Sequence, residues 1–174
     1  MCDQFCSRRR WCTSYNAFGK PSLASETASL SLRFNVSHSH QIALYAFSID
    51  REVGVDVEHV RQDSGAFKIA EQFFSPREIV ELRSLPPVQQ SEAFYRCWTK
   101  KEAYINAIGQ GFSYGVDQFD VSLSPEERPE LLVSDDSKPE RIVWQLREIS
   151  LSSAYAAALA AEGSGWSLSF SEWI

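Results

Sequence analysis

The chain has 174 residues, 44% of them hydrophobic and 23% charged, enough apolar material for one core or two small ones and too much for intrinsic disorder. Its 17 Lys+Arg against 23 Asp+Glu leave a net charge of −6, which argues against a nonspecific nucleic-acid binder and means that any anionic ligand is held by local groups or a metal. No run approaches the roughly 18 apolar residues of a bilayer span, and the segment from Met1 to Asn16 lacks the apolar centre of a secretory signal, so a cytoplasmic protein without membrane insertion is expected.

Residues 1–16 carry Cys2, Cys6, Cys12 and the basic run Arg8, Arg9 and Arg10 without a sustained period, and read as an atypical lead-in. The thiols are expected to be reduced, since a zinc site would need a fourth ligand near that trio and none is evident. From Ala28 to Val36 the residues Leu30, Leu32 and Phe34 alternate with polar ones, which predicts a half-buried strand. A second strand follows over Ile42 to Phe47, then a turn over Ser48 to Glu52, then a third strand over Val53 to Glu58. Alternation on that third strand puts Val53, Val55 and Val57 on one face and Gly54, Asp56 and Glu58 on the other.

The middle of the chain reads as helical. Phe67, Ala70 and Phe74 recur at helical spacing over residues 64–74, and Ser75-Pro76-Arg77-Glu78 combines an N-cap, a proline at the first helical position and a capping-box glutamate. A longer helix is predicted from Val88 to Ile108, with Phe94, Trp98, Ile105 and Ile108 on one stripe and Gly109 and Gly111 ending it. The remaining third predicts strands over Phe119 to Leu123, Glu130 to Val133, Ile142 to Ile149, Tyr155 to Ala160 and Trp166 to Phe170. Strands, then helices, then strands indicate an α+β fold, an antiparallel sheet packed on the long helix.

Three carboxylates stand out by placement. Asp56 and Glu58 share a strand face, and at about 100° per residue Glu102 lies roughly 60° from the centre of the apolar helix stripe, at the edge of the buried face. A helix packed across that strand could gather all three around one hard cation, of which magnesium suits a few carboxylates plus water and substrate phosphate. The alternative is a solvated strand face, with Glu102 paired to Lys100, Lys101 or Arg96 on the helix surface. The segment Phe34-Asn35-Val36-Ser37-His38-Ser39-His40 offers hydroxyls and imidazoles that could donate to phosphate, or an ordinary polar turn. Lys20 sits in a tight Gly19-Lys20-Pro21 loop, which alone says little.

Taken together, Gly19-Lys20-Pro21, Phe34-Asn35-Val36-Ser37-His38-Ser39, Gly54-Val55-Asp56-Val57-Glu58, Phe73-Phe74-Ser75…Glu78, Trp98-Thr99-Lys100-Lys101-Glu102-Ala103-Tyr104 and Gly109-Gln110-Gly111 resemble the 4′-phosphopantetheinyl transferases. More narrowly they resemble the Sfp-like class, in the branch whose helix motif reads W…KEA. The resemblance implies Mg²⁺-dependent transfer of the phosphopantetheine arm from coenzyme A to a serine of an apo acyl or peptidyl carrier protein, releasing adenosine 3′,5′-bisphosphate. It implies Asp56, Glu58 and Glu102 as metal ligands, Glu102 and Lys101 as catalytic groups, and Lys20, Ser37, His38 and Lys101 as coenzyme A contacts. The alternative it leaves is a catalytically weak or inactive relative that binds coenzyme A or a carrier protein.

The same resemblance implies a pseudo-repeat within residues 17–174, with 17–52 a remnant of the first half and 53–174 the second. Only 18 residues precede Gly19, so a hydrophobic face is expected where more of the first half would pack, with self-association as its consequence. Asn106 stands where many relatives place a phosphate-binding lysine, and it supplies a donor but no charge. Carrier proteins being usually acidic, Arg61, Lys68, Arg77 and Arg83 are the candidates for a docking face.

Overall fold

The computed structural model describes residues 12–24, 31–62, 65–123, 130–132 and 143–172. Its elements are β1 (Thr13–Tyr15), β2 (Pro21–Leu23), β3 (Leu32–Ser39), β4 (Ile42–Ile49), β5 (Val53–His59), α1 (Ala66–Phe73), α2 (Pro76–Ser84) and α3 (Pro87–Ile108). Two short 3₁₀ turns follow, then β6 (Glu130–Leu132), β7 (Val143–Glu148) and β8 (Tyr155–Glu162). All pairings are antiparallel: β1 with β2, β3 with β4, and a four-stranded sheet in the order β5-β8-β7-β6. This is the α+β architecture that the order of elements predicts.

Helix α3 lies across one face of the four-stranded sheet. Tyr104, Ile105 and Ala107 pack there with Trp144, Leu146, Ala158 and Ala160, in a core that α1 and α2 extend through Ala70, Phe74 and Leu82. The other face of the sheet buries Val53, Val55, Val57, Leu159 and Ala161 against Ala46, Ile42 and Leu44 of β4 and against Trp166 and Leu168. The valine face of β5 and its Gly54/Asp56/Glu58 face therefore point into different layers, as alternation requires. Ser75 starts α2 as its sequence predicts: its hydroxyl accepts from Glu78 N and its own N–H donates to the Glu78 carboxylate. Gly109 ends α3 in the left-handed region at φ 65°.

Three segments depart from the sequence reading. Thr13–Tyr15, within the expected lead-in, pairs with Pro21–Leu23, and Asn16 next to it donates to the Gly109 carbonyl at the end of α3. Phe119 to Leu123 is not a strand. Its carbonyls and those just before it are taken by cations from α3: Lys101 donates to Val116 O and Phe119 O, Lys100 to Ser122 O and Arg96 to Leu123 O. Those bonds replace a β-ladder. Trp166 to Phe170 also forms no strand. It is held through side chains, with the Arg147 guanidinium 4.2 Å from the centre of the Trp166 ring and donating to Trp166 O. Cys2, Cys6, the start of the first expected strand at Ala28, and Val133 and Ile142 lie outside the described residues.

Candidate functional site

The site begins with a seam between helix and strand. Gly54 of β5 faces Ala103 and Ala107 of α3 so closely that a Cβ on residue 54 would collide with the backbone of both. Ala103 and Ala107 are themselves fully buried, and their i,i+4 spacing makes a smooth strip along α3. The residues immediately before them, Glu102 and Asn106, flank that strip. Asn106 donates to the Val55 carbonyl at 3.2 Å, and Glu102 comes within electrostatic reach of Asp56 and Glu58. The close packing of three small residues thus brings together the acids that the sequence separates by more than forty positions.

Strand β3 supports the acids from the other side. It runs alongside β5 and is joined to it through side chains rather than a backbone ladder: Asn35 Oδ1 accepts from Val55 N at 2.8 Å, Ser37 Oγ from Val57 N at 3.2 Å and Ser39 Oγ from His59 N at 3.0 Å. The two serine hydroxyls then donate to carboxylates, Ser37 to Asp56 Oδ1 at 2.8 Å and Ser39 to Glu58 Oε2 at 3.0 Å.

Asp56 is buried, and Glu58 and Glu102 are half-buried. Burial above all pushes the Asp56 carboxyl up to about 7; the Ser37 hydrogen bond opposes this and the Glu58 charge adds to it. Glu102 is pushed up to about 8 by burial, then by the charges of Asp56 and Glu58. Asp56 Oδ2 and Glu102 Oε1 are buried and have no hydrogen-bond partner among the described residues. Such atoms are costly in a folded protein unless something else satisfies them. Among the described residues no three His, Cys, Asp or Glu side chains already close around one point as a complete protein shell would. Magnesium does not need such a shell: it takes one or two carboxylates and fills its octahedron with water and substrate oxygens. Two orphaned oxygens on adjacent acids fit that donor set.

The other residues expected at the site are distributed unevenly. Lys101, expected to neutralise phosphate, points away from the acids into the core. It is fully buried, pairs with Glu78 at 2.9 Å and donates to Val116 O and Phe119 O, so all three ammonium hydrogens are committed. The reason is helical geometry: neighbours on a helix point about 100° apart, so Lys101 and Glu102 cannot face the same partner. Lys20 binds Glu52 at 2.5 Å and the Ala107 carbonyl, closing the loop onto the end of α3 and leaving one hydrogen of its ammonium without a partner among the described residues. Ser37 reaches Asp56. His38 is exposed and lies on the opposite face of β3, since alternation forbids adjacent residues from sharing one. Asn35 and Ser39, which the sequence offers only as members of a run of possible phosphate donors, share one face of β3 with Ser37 by two-residue spacing and turn to β5 instead.

A long helix laid across an antiparallel sheet, with acids from both elements meeting at their seam, defines an α+β domain with an acidic centre. Residues 52–160 match the 4′-phosphopantetheinyl transferase superfamily, and the chain belongs to that family. It is 37% identical over 156 residues to the 4′-phosphopantetheinyl transferase HetI of Nostoc sp., covering 90% of this chain and 62% of that protein. It is 30% identical over 126 residues to the 4′-phosphopantetheinyl transferase Sfp of Bacillus subtilis, covering 72% of this chain and 54% of that protein. The chain therefore spans between half and two thirds of the length of these relatives. An apo-ACPS structure from Chronobacterium ammoiniagenes shares the fold, with a TM-score of 0.52 and 21% identity over 64% of this chain and 95% of that one. No helix among the described residues is long and apolar enough to cross a membrane.

Proposed function

We propose that the chain catalyses Mg²⁺-dependent transfer of 4′-phosphopantetheine from coenzyme A to a serine of an apo acyl or peptidyl carrier protein in the cytoplasm, with release of adenosine 3′,5′-bisphosphate. The observation that carries this reading is the pair of buried, unpartnered oxygens, Asp56 Oδ2 and Glu102 Oε1, on mutually repelling acids. Asp56, Glu58 and Glu102 would hold the metal. When bound, Mg²⁺ would neutralise the pyrophosphate and the charge growing on the leaving oxygen.

The protein's own groups supply the rest. The serine oxygen attacks phosphorus, the bond from phosphorus to the bridging oxygen breaks, and the serine proton passes to the Glu102 carboxylate as the proposed base. Ser37 and Ser39 keep Asp56 and Glu58 in place while the partners are bound. The remaining hydrogen of Lys20 and the exposed imidazole of His38 are the groups proposed for the nucleotide end of coenzyme A. Lys101 is assigned a structural role instead.

Incubating the purified chain with MgCl₂, coenzyme A and a panel of apo acyl and peptidyl carrier proteins tests the proposal. A carrier mass increase equal to one phosphopantetheine group supports it, and no mass change on any carrier overturns it. A second reading, binding without turnover, is favoured by one specific arrangement: Asn106 spends its amide on the Val55 carbonyl, and Lys101 has no free hydrogen. Calorimetric binding of coenzyme A with no transfer would select it. On either reading the outer face of the β3–β4 hairpin, where Tyr45 and Phe47 are each 65% exposed beside Ile49 and Val36, is the proposed contact between copies. Sedimentation as a monomer at all concentrations would exclude that contact.

A further inference from the structure

The joint between β3 and β5 has a repeat. Three residues on one face of β3 take three N–H groups of β5 at a constant offset of 20 positions, Asn35 to Val55, Ser37 to Val57 and Ser39 to His59. A constant offset means that the two strands run parallel here, with side chains in place of carbonyls. In two of the three steps the amide belongs to the residue after an acid: Val57 follows Asp56, and His59 follows Glu58. In those two steps, and not in the first, the β3 residue carries a hydroxyl.

A hydroxyl has one hydrogen and two lone pairs. With a lone pair of Ser39 Oγ occupied by His59 N, its rotor is set and its hydrogen goes to Glu58 Oε2; Ser37 does the same between Val57 N and Asp56 Oδ1. Each acid is thereby held by one oxygen. On Asp56 the oxygen left over, Oδ2, is the buried one without a partner. We infer that Ser39, acting with Ser37, is a positioning residue for the acidic centre, its hydroxyl fixing the Glu58 carboxylate so that the centre can accept a divalent cation. In this arrangement each of the two hydroxyls gives its single hydrogen to a carboxylate. The inference rests on the cation reading proposed above and gives Ser39 a role toward a carboxylate in place of one toward a phosphate.

The test needs neither coenzyme A nor a carrier. Mn²⁺ serves as the probe, and its free fraction is read by electron paramagnetic resonance while the chain is titrated. Removing a group that orients a metal ligand typically weakens metal affinity by about 10–100-fold, so Ser39→Ala is expected to lose at least about tenfold, and Ser39→Thr, which keeps the hydroxyl, to recover it. In a Glu58→Gln background the further loss from Ser39→Ala should vanish, because Ser39 acts through that carboxylate. A purely structural edge cap would lower the melting temperature and leave Mn²⁺ affinity unchanged. That outcome, or an equal loss in the Glu58→Gln background, overturns the inference. Should Ser39→Ala not fold, Ser39→Cys keeps the volume with a much weaker donor and is read the same way. If the unmodified chain binds no Mn²⁺, the cation reading itself fails and the inference with it, a result distinct from a wild-type affinity that Ser39→Ala leaves untouched.

Discussion

Lys101 and Glu102 are neighbours on one helix, and both are ionisable groups withdrawn from water, yet they end in opposite circumstances. Lys101 sits in a closed network: Glu78 opposite it, Val116 and Phe119 carbonyls around it, with Glu78 in turn accepting from Ser75 N and Val121 N. Burial raises the Glu78 carboxyl above its ordinary range, while Lys101 and those two amides pull it back. Glu102 has a buried oxygen with no partner and two other acids for company. A fully compensated buried charge is architecture, since it pins α2 and the 116–123 segment to α3. An under-compensated one is a candidate site, because a bound cation would complete it.

The largest effect should come from breaking the compensated side. Lys101→Ala strands Glu78 in the core and is expected to cost about 3–5 kcal/mol of stability, read from urea unfolding, with Lys101→Met costing a similar amount. If either variant folds normally and only loses transfer activity, Lys101 belongs to the chemistry after all. Next is the seam: Gly54→Ala forces the β5 backbone away from Ala103 and Ala107 and should cost about 1–3 kcal/mol or more, with Mn²⁺ affinity falling in step.

On the under-compensated side the sign reverses. Glu102→Gln removes a repelled charge, so the metal-free chain at pH 8 should gain about 0.5–2 kcal/mol in chemical denaturation while transfer is abolished. The pH dependence follows from the same groups. Asp56 and Glu102 have folded values of about 7 and about 8 against ordinary values of 3.8 and 4.5, so between roughly pH 4 and pH 8 the native state holds more protons than the unfolded one. Stability without metal should therefore decline as pH rises through that window, with Glu78 adding to the trend, and saturating Mg²⁺ should restore most of the loss at pH 8. A melting temperature that climbs from pH 5 to pH 8 in chelator would contradict this. The smallest effect belongs to the α2 cap: Ser75→Ala should cost about 1 kcal/mol in the same denaturation and leave metal binding unchanged.

How far the sequence could be read depended on the range over which each signal acts. The start of α2 was legible because Ser75, Pro76 and Glu78 lie within one turn of one another. The common face of Gly54, Asp56 and Glu58 was legible because strand alternation is local, and the same rule marks His38 as facing away from Ser37. The fate of Lys101 was not, since its partners come from position 78 and from a loop beyond the helix. Phe119 to Leu123 reads as a strand for a related reason: its apolar alternation is real, but Arg96, Lys100 and Lys101 claim the carbonyls a neighbouring strand would need. Ser39 reads from sequence as a possible phosphate donor, because its partners Glu58 and His59 lie on β5, whose course beside β3 no local signal reveals.

The contact of Gly54 with Ala103 and Ala107 also sets how the centre can vary. Where backbone meets backbone with no side-chain cushion between, a slip of the helix along the strand is transmitted undamped to the distance separating the acids. Substitutions along the contact line would act as an on–off control of the whole centre, whereas gradual adjustment is left to the positions beside it, 102 and 106 on the helix and 37 and 39 on the neighbouring strand.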